Sequence, residues 1–211
     1  MEGAKPLPEI VKDERRRPFL VVSYYTVNSG YQTEILNLVR TLDRWGLDYK
    51  LSGINSRGSW FNNIAWRPQF LKQTMAMLPG RSLLWLDSDA RVQQDPILFD
   101  KLEGMGYDLA VHYRNDRELL GGTMWFSSGP MAARLVDIWA GFQNQNPQLR
   151  EQQSLQILLP GHKEFRVYKL PATYCQIFDL MKHAGQPVIE HFQASRRFKK
   201  AMGATTPRRF F

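Results

Sequence analysis

Two aspartates, Asp87 and Asp89, follow a short apolar run in the chain. The run, Ser82–Leu86, has no polar break after its first residue, which is typical of a strand buried on both faces of a parallel sheet. The carboxylates therefore stand at the carboxyl end of a strand, where open α/β sheets bind ligands. Two oxygen donors in one place favour Mg²⁺ or Mn²⁺, which are often held by few carboxylates and the phosphates of a substrate. A turn in which both side chains only bond backbone amides is the alternative.

The stretches that would position these aspartates alternate between strand and helix patterns. Residues 19–26 predict a first strand, apolar residues at helical spacing from 35 to 42 predict a helix, and residues 49–54 predict a second strand. This succession is a βαβ unit and implies a parallel sheet. Later patterns predict helices from residues 68, 95, 130 and 146, a strand at 107–112, a glycine turn running into a strand over 119–127, a strand at 166–170, and a strand or loop at 188–192.

Length and composition limit the class of protein. A chain of 211 residues, 43% of them hydrophobic, is long enough for one domain with a substantial core. The single cysteine, Cys175, excludes an internal disulfide framework and favours a reducing compartment, the cytoplasm. No apolar run approaches the ~20 residues that span a bilayer, and residues 1–18 lack the apolar core of a secretory signal.

The net charge of +8 is concentrated near the C-terminus. Residues 191–211 hold six lysines and arginines and no acidic residue, whereas residues 19–190 hold 17 basic and 16 acidic residues. Such a segment favours contacts with phosphates, either of a nucleotide or of a nucleic acid. A solvated tail that aids solubility is the alternative.

Six features follow one another along the chain. They are the first βαβ unit, the segments Arg67–Leu71, Leu86–Asp89 and Leu120–Phe126, the pair Glu151-Gln152, and the segment His191–Arg196 with Lys199 behind it. In this order they resemble the nucleotide-sugar-dependent glycosyltransferases of the GT-A fold, whose Asp-x-Asp motif is similar to residues 87–89. The resemblance covers roughly residues 19–200. It implies an α/β, Rossmann-like single domain with a central, mostly parallel sheet flanked by helices.

The same resemblance divides the chain into three parts. These are an N-terminal extension (1–18), a glycosyltransferase domain (19–200) and a basic C-terminal tail (201–211). The chain departs from the family in being short and in having Phe-Gln-Ala-Ser after His191, where a close glycine is more frequent. The acceptor and the stereochemistry of transfer therefore stay open.

The resemblance also implies a metal-dependent transfer from a nucleotide-diphosphate sugar, with a UDP-sugar as the first candidate. Asp87, Asp89 and His191 would hold Mn²⁺ or Mg²⁺, and His191 would bind through a neutral ring nitrogen. A divalent ion stabilises the negative charge that develops on the leaving nucleoside diphosphate. For His191, a partly buried histidine bonded to the backbone is the alternative.

Further residues are predicted around the donor and the acceptor. The donor contacts are Tyr24, Tyr25, Thr26, Arg57, Arg67, Asp87, Ser88, Arg196 and Lys199, and the sugar or acceptor contacts are Gly121, Gly122, Trp125 and Gln152. A tyrosine ring can stack on the base, cations can meet the diphosphate, and glycine permits close approach of the backbone. Core tyrosines, ordinary surface cations and a tight glycine turn are the alternatives.

Glu151 is the predicted catalytic residue. An inverting enzyme needs a general base for the acceptor hydroxyl. In a retaining enzyme the carboxylate would instead orient the sugar or stabilise an oxocarbenium-like state. Glu118 and Asp116 are alternatives for this role, and a carboxylate that only favours a helix N-terminus is the structural alternative.

Two other classes of protein stay open. A phosphatase of the haloacid dehalogenase kind also has an apolar strand followed by Asp-x-Asp, but there the pair usually lies on the first strand. A nonenzymatic nucleic-acid-binding module would use the basic tail, yet it leaves the aspartate pair unexplained. A glycosyltransferase whose acceptor is DNA or RNA would use both features.

Overall fold

A computed structural model describes residues 7–201 of the chain, with side chains from residue 7 to residue 198. Its strands are β1 (Glu9–Lys12), β2 (Phe19–Thr26), β3 (Tyr49–Ile54), β4 (Ser82–Leu86), β5 (Ala90–Val92), β6 (Leu109–Arg114), β7 (Glu118–Phe126), β8 (Val167–Lys169), β9 (Gln176–Ile177) and β10 (Ile189–His191). Its helices are α1 (Tyr31–Arg44), α2 (Trp60–Ala65), α3 (Arg67–Met77), α4 (Leu98–Leu102), α5 (Pro130–Gln145), α6 (Glu151–Leu158) and α7 (Ala194–Ala201). No helix in this described part is long and apolar enough to cross a bilayer.

Seven strands form the central sheet in the order β1-β3-β2-β4-β7-β6-β8. β2 pairs in parallel with β3 and β4, and β6 pairs in parallel with β8. β7 runs antiparallel to β4 and β6, and β1 runs antiparallel to β3, so five of the seven strands point the same way. The predicted α/β fold with a central, mostly parallel sheet flanked by helices is confirmed.

Helices cover both faces of this sheet because its central strands are apolar on both sides. In β2, Leu20 and Val22 belong to the core under α3, α5 and α6, whereas Phe19 and Val21 belong to the core under α1 and α4. Every residue of β4 is buried. Burial stabilises the fold by roughly 1.5–3 kcal/mol for each large apolar side chain, which keeps β4 in the middle of the sheet.

A second sheet of three strands, in the order β5-β10-β9, brings a late part of the chain to the end of β4. β10 pairs antiparallel with β5, and His191 lies opposite Ala90 in this pairing. The segment at 188–192, which fits a strand or a loop by sequence, is therefore a strand in its centre. Backbone pairing thus places His191 beside the aspartates although it is far from them in the chain.

Local predictions are corrected at three places. The glycine pair at 121–122 lies inside β7 and not in a turn before it, and the register against β6 shifts after Val111, so the pair forms a bulge. The helix predicted from Asn146 begins at Glu151, because Asn146 ends α5 and the backbone N–H of Arg150 donates to Oε1 of Gln153 (3.2 Å) at the start of α6. β1, within the predicted N-terminal extension, was not anticipated and adds an edge strand.

Candidate active site

A tight turn after β4 presents the two aspartates. The backbone N–H of Ala90 donates to the carbonyl of Asp87 (2.9 Å), which closes the turn. The N–H of Asp87 donates to the carbonyl of Gly122 (2.9 Å), so the turn is tied to the bulge in β7. Both carboxylates therefore leave the sheet at the carboxyl end of a central strand.

Asp87, Asp89 and His191 form a cluster, the metal triad, that fits a divalent ion. One ligand atom of each side chain lies within 4.8 Å of those of the other two. Ligands of Mg²⁺ lie at about 2.0–2.1 Å from the ion, so opposite ligands are roughly 4 Å apart, and small side-chain rotations close the difference. Two carboxylates and an imidazole are a donor set suited to a divalent transition metal.

His191 is held so that one ring nitrogen is left for a ligand. Its Nε2 lies 2.8 Å from the hydroxyl of Thr123, and its Nδ1 makes no hydrogen bond with any residue that the structure describes. Nδ1 lies 3.9 Å from Oδ1 of Asp89. Metal-binding histidines usually fix their second nitrogen through such a partner. Thr123 therefore orients the ring with Nδ1 toward the triad.

The glycine pair makes room for two of the site's side chains. A Cβ atom on Gly122 would lie 2.8 Å from Cε1 of His191, and one on Gly121 would lie 2.7 Å from Nη1 of Arg67. No Cβ atom fits at such distances without movement of the neighbour. The glycines, predicted to contact the sugar or acceptor, thus accommodate His191 and Arg67 in this structure. Sequence reasoning did not predict a role for Thr123. The one feature of the sequence that could have indicated it is the position of Thr123 directly after the glycine pair.

Without a metal ion, the metal triad favours a proton on His191, which a bound metal ion would displace. Burial by itself lowers the pKa of His191, but Cys175 and the Asp89 carboxylate raise that pKa to about 10. Burial raises the pKa of Asp89, yet His191 and the backbone N–H of Ala194, at 2.7 Å, lower it overall. Asp89 therefore stays ionised although it is almost fully buried.

Asp87 also belongs to a second cluster, the Arg67 triad of Asp87, Arg67 and Glu151. Nη2 of Arg67 donates to Oδ1 of Asp87 at 2.7 Å, and Nη1 lies 3.1 Å from Oε1 of Glu151. Nη1 also donates to the carbonyl of Gly121 at 2.6 Å, and the guanidinium lies 4.6 Å from the ring centre of Trp85. Arg67 is only 4% exposed. Its cation therefore holds Asp87 from inside the protein.

Glu151 is buried in this structure and not open to an acceptor. It is 3% exposed, and its Oε2 has no hydrogen-bond partner in the described part of the chain. Burial raises the pKa of its carboxyl, while Arg67 opposes that shift. The neighbouring Gln152 is half-buried and lies against Gly121. An acceptor reaches Glu151 only if the residues around it move, whereas Gln152 is closer to the surface.

Comparison with known proteins establishes the fold around this site. No protein-family model and no curated protein matches the sequence. A solved glycosyltransferase involved in the glycosylation of the major capsid of PBCV-1 matches with a TM-score of 0.67 and 13% identity, over 88% of this chain and 100% of the other. The chain has the GT-A glycosyltransferase fold.

Further solved structures share the GT-A fold. GlyE of Streptococcus pneumoniae TIGR4 matches with a TM-score of 0.59 and 15% identity, over 83% of this chain and 54% of the other, so this chain spans about half of that protein. An active-site mutant of LgtC matches with a TM-score of 0.54 and 11% identity, over 90% of this chain and 98% of the other. At these identities the likeness is one of fold.

In this GT-A fold the two tyrosines predicted to bind the donor are core residues. Tyr24 is enclosed by three aromatic rings whose centres lie 5.4, 5.2 and 5.1 Å away, those of Trp66, Phe70 and Trp85. Tyr25 is 5% exposed in the core under α1. Tyr31, which sequence reasoning missed, begins α1 close to the aspartates: burial and the charges of Asp89 and Asp87 raise the pKa of its hydroxyl. Its only sequence signal is an aromatic residue directly after a turn.

Three other residues that were predicted to contact the donor, the sugar or the acceptor differ in how far they are buried. Thr26 is half-buried at the end of β2 and accepts a hydrogen bond from Nδ2 of Asn63 at 3.3 Å. Ser88 lies in the turn between the aspartates and is 8% exposed. Trp125 is fully buried in the core under α1 and leaves no ring surface for a sugar.

The cations predicted to meet the diphosphate also differ in their surroundings. Arg57 is exposed and lies over the ring of Trp66, 5.3 Å from its centre. Arg196 pairs with Asp179 at 2.6 Å. The side chain of Lys199 lies outside the described residues. The structure thus brings together Asp87, Asp89, His191, Arg67 and Glu151, but not Trp125 or Tyr25.

Proposed function

We propose that the protein is a metal-dependent glycosyltransferase that moves a sugar from a nucleotide-diphosphate donor, with UDP-sugars as first candidates. The metal triad carries this proposal, because it stands at the carboxyl end of β4, where open α/β sheets bind ligands. A fold alone does not assign an activity. The triad adds the chemistry, since its residue types suit an ion that bridges a diphosphate.

Asp87, Asp89 and His191 would hold Mn²⁺ or Mg²⁺. When bound, the ion neutralises the donor diphosphate and stabilises the charge left on it. The imidazole favours Mn²⁺, since Mg²⁺ prefers oxygen ligands alone. Oδ1 of Asp87 is bonded to Arg67, and Oδ2 of Asp89 is bonded to the N–H of Ala194. The second oxygen of each carboxylate is left for the ion.

The base and ribose of the donor would lie near the end of β2 and the start of α1. Thr26 ends β2, Tyr31 begins α1 and Ser88 lies between the aspartates, and their hydroxyls would supply donors and acceptors for a nucleoside. Arg196, in α7, would turn from Asp179 toward the diphosphate, because both side chains of that pair are about one-third exposed, at 31% and 35%. Lys199 stays a predicted partner of the diphosphate.

Glu151 would support turnover by holding Arg67 against Asp87, as a positioning residue. Its burial supports this role, and the half-buried Gln152 is the better candidate for direct contact with the sugar. The two alternatives to Glu151 pair with neighbouring cations on the β6–β7 hairpin and β8: Glu118 with Arg114, and Asp116 with Lys169.

The test is a screen of UDP-, GDP- and TDP-sugars for hydrolysis with Mn²⁺. We expect one donor to be hydrolysed, the reaction to stop in a chelator, and the activity to return with Mn²⁺. Full hydrolysis in the chelator would contradict the role of the metal triad. Phosphate release from simple monoesters, without donor hydrolysis, would support the haloacid-dehalogenase-like phosphatase instead.

The basic C-terminal segment supports a nucleic acid as one candidate acceptor. Arg196 and Arg197 are already paired with Asp179 and Glu34, at 2.6 Å each, and the side chains of Lys199, Lys200, Arg208 and Arg209 lie outside the described residues. With such an acceptor, binding should weaken steeply with salt, because phosphate contacts release counterions, and truncation after Met202 should weaken it. Salt-insensitive transfer, unchanged by the truncation, would exclude this acceptor. Nucleic-acid binding without donor hydrolysis would indicate a nonenzymatic module.

A further inference from the structure

A cleft of about 690 Å³ opens between α2, the start of α3 and the end of α5. This volume lies within the ~300–1,000 Å³ of typical small-molecule sites. Its chemistry is set by five side-chain amides, one indole and one guanidinium: Asn55, Asn62, Gln69, Gln143, Asn144, Trp66 and Arg57. No residue of the metal triad lines the cleft, and the donor site proposed above does not use it.

Three of the five amides are free to bind a ligand, whereas Asn62 and Gln143 are bonded within the protein. The side chains of Asn55, Gln69 and Asn144 make no hydrogen bond with any side chain or backbone group of the residues that the structure describes, although they lie around one cavity. A primary amide offers two N–H donors and a carbonyl acceptor. It therefore matches pairs of neighbouring hydroxyls, which also donate and accept.

The indole supplies a firm apolar surface in the same cleft. Trp66 is half-buried and packs against Tyr24 and Phe70, with ring centres 5.4 and 5.5 Å away. Its position is therefore fixed by the core. The guanidinium of Arg57 lies over this ring, 5.3 Å from its centre. It offers donors for ring or carboxyl oxygens, and the C–H face of a pyranose can pack on the apolar surface that the guanidinium leaves uncovered.

We propose that this cleft binds a carbohydrate, the glycan acceptor of the transfer; this inference rests on the proposed function and names its acceptor class. Trp66 and Pro68 line the cleft, and Arg67, which lies between them in the chain, pairs with Asp87. Three consecutive residues therefore connect the cleft with the metal triad. A glycan fits better than a nucleic acid. Among the residues that the structure describes, Arg57 is the only charged one in the lining, whereas a phosphate backbone is held by several cations.

The experiment measures binding of the full-length protein to a printed array of oligosaccharides, followed by calorimetry with the strongest binder. The variant Gln69→Ala/Asn144→Ala removes two of the free amides. The matched control Gln73→Ala/Gln145→Ala removes two exposed amides from the same helices, α3 and α5, outside the cleft. We expect the cleft variant to bind the glycan roughly tenfold more weakly and the control to stay within about twofold of wild type.

Donor hydrolysis of the same proteins separates this inference from the proposed function. Hydrolysis by wild type and by both variants, with weakened glycan binding only in the cleft variant, supports the proposed function and the cleft as the acceptor site. Hydrolysis without binding of any glycan on the array, or with equal loss in both variants, overturns the cleft as the acceptor site. Displacement of the glycan by a short single-stranded DNA overturns it in favour of a nucleic acid. Glycan binding that depends on the amides, without hydrolysis of any donor, supports the cleft and overturns the transferase.

Discussion

The Arg67 triad and the metal triad share Asp87, yet they are built in different ways. In the Arg67 triad the positive charge belongs to the chain, and Arg67 and Glu151 are 4% and 3% exposed. The metal triad consists of two carboxylates and an imidazole, and 36% of the Asp87 side chain is exposed. The first cluster is completed by folding, whereas the second, under the proposed function, would be completed by a metal ion.

This difference separates stability from activity within one site. A buried ion pair adds little net stability over apolar residues, but removal of one partner leaves an uncompensated charge in the interior. The Arg67 triad should therefore be sensitive to single changes and tolerant of paired ones. The metal triad should tolerate a neutral replacement with a smaller loss of stability, since asparagine in place of Asp89 keeps the shape of the side chain and an acceptor for Ala194 but loses the attraction to His191.

The largest expected effect is on stability. Arg67→Met should lower the free energy of unfolding by about 3–5 kcal/mol, because Glu151 is left buried without its cation. Urea denaturation at neutral pH measures this, and Arg67→Met/Glu151→Leu should recover much of the loss. Arg134→Met is the control, since Arg134 is 58% exposed and its carboxylate partner is 3.7 Å away. An equal loss in the control, or no recovery in the double variant, would show that the triad is not the cause.

Next in size is the loss of activity when the metal triad alone is changed. Asp89→Asn should lower Mn²⁺-dependent donor hydrolysis at least about 100-fold and lower the free energy of unfolding by less than Arg67→Met does. Asp87→Asn should lower both activity and stability, because Asp87 belongs to both triads. Asp137→Asn, with a side chain that is 61% exposed, is the control for a lost surface charge. Retained activity in Asp89→Asn would remove this residue from the metal site.

A smaller effect is expected from the residue that orients His191. Thr123→Val keeps the shape of the side chain but removes the hydroxyl 2.8 Å from Nε2. We expect the affinity for Mn²⁺ to fall by about tenfold, measured by calorimetry without donor. Thr33→Val, at an exposed position of α1, serves as the control. Unchanged affinity in Thr123→Val would mean that the ring is fixed by packing against the glycines alone.

The smallest effect is the pH dependence of stability that Glu151 contributes. Burial raises the pKa of Glu151 above its unfolded value of about 4.3. The native state then keeps a proton that the unfolded chain releases, so the stabilisation is present below the unfolded pKa and is lost as the pH rises through the native pKa. Glutamine does not titrate. The stability of Glu151→Gln relative to wild type should therefore increase between mildly acidic and neutral pH in urea titrations, and a constant difference would contradict the shift.

Several of the strands and helices that position this site can be predicted from local sequence patterns. The buried run before Asp87 and the βαβ unit around α1 were predictable, because hydrophobic periodicity reports burial on one or both faces of an element. The same patterns did not reveal that Trp125 faces the core or that Tyr24 is enclosed by aromatic rings. Residues on one strand alternate between faces, and the neighbouring strand order decides what each face meets.

The sequence by itself determined the two aspartates at the end of a buried strand, the α/β class and the uneven charge, since each depends on residues close together in the chain. Only the tertiary structure decided that Arg67 bridges Asp87 and Glu151 and that Thr123 holds His191. These contacts depend on the bulge in β7 and on the pairing of β10 with β5. Such pairings between distant segments are set by packing of the whole chain, and no local pattern records them.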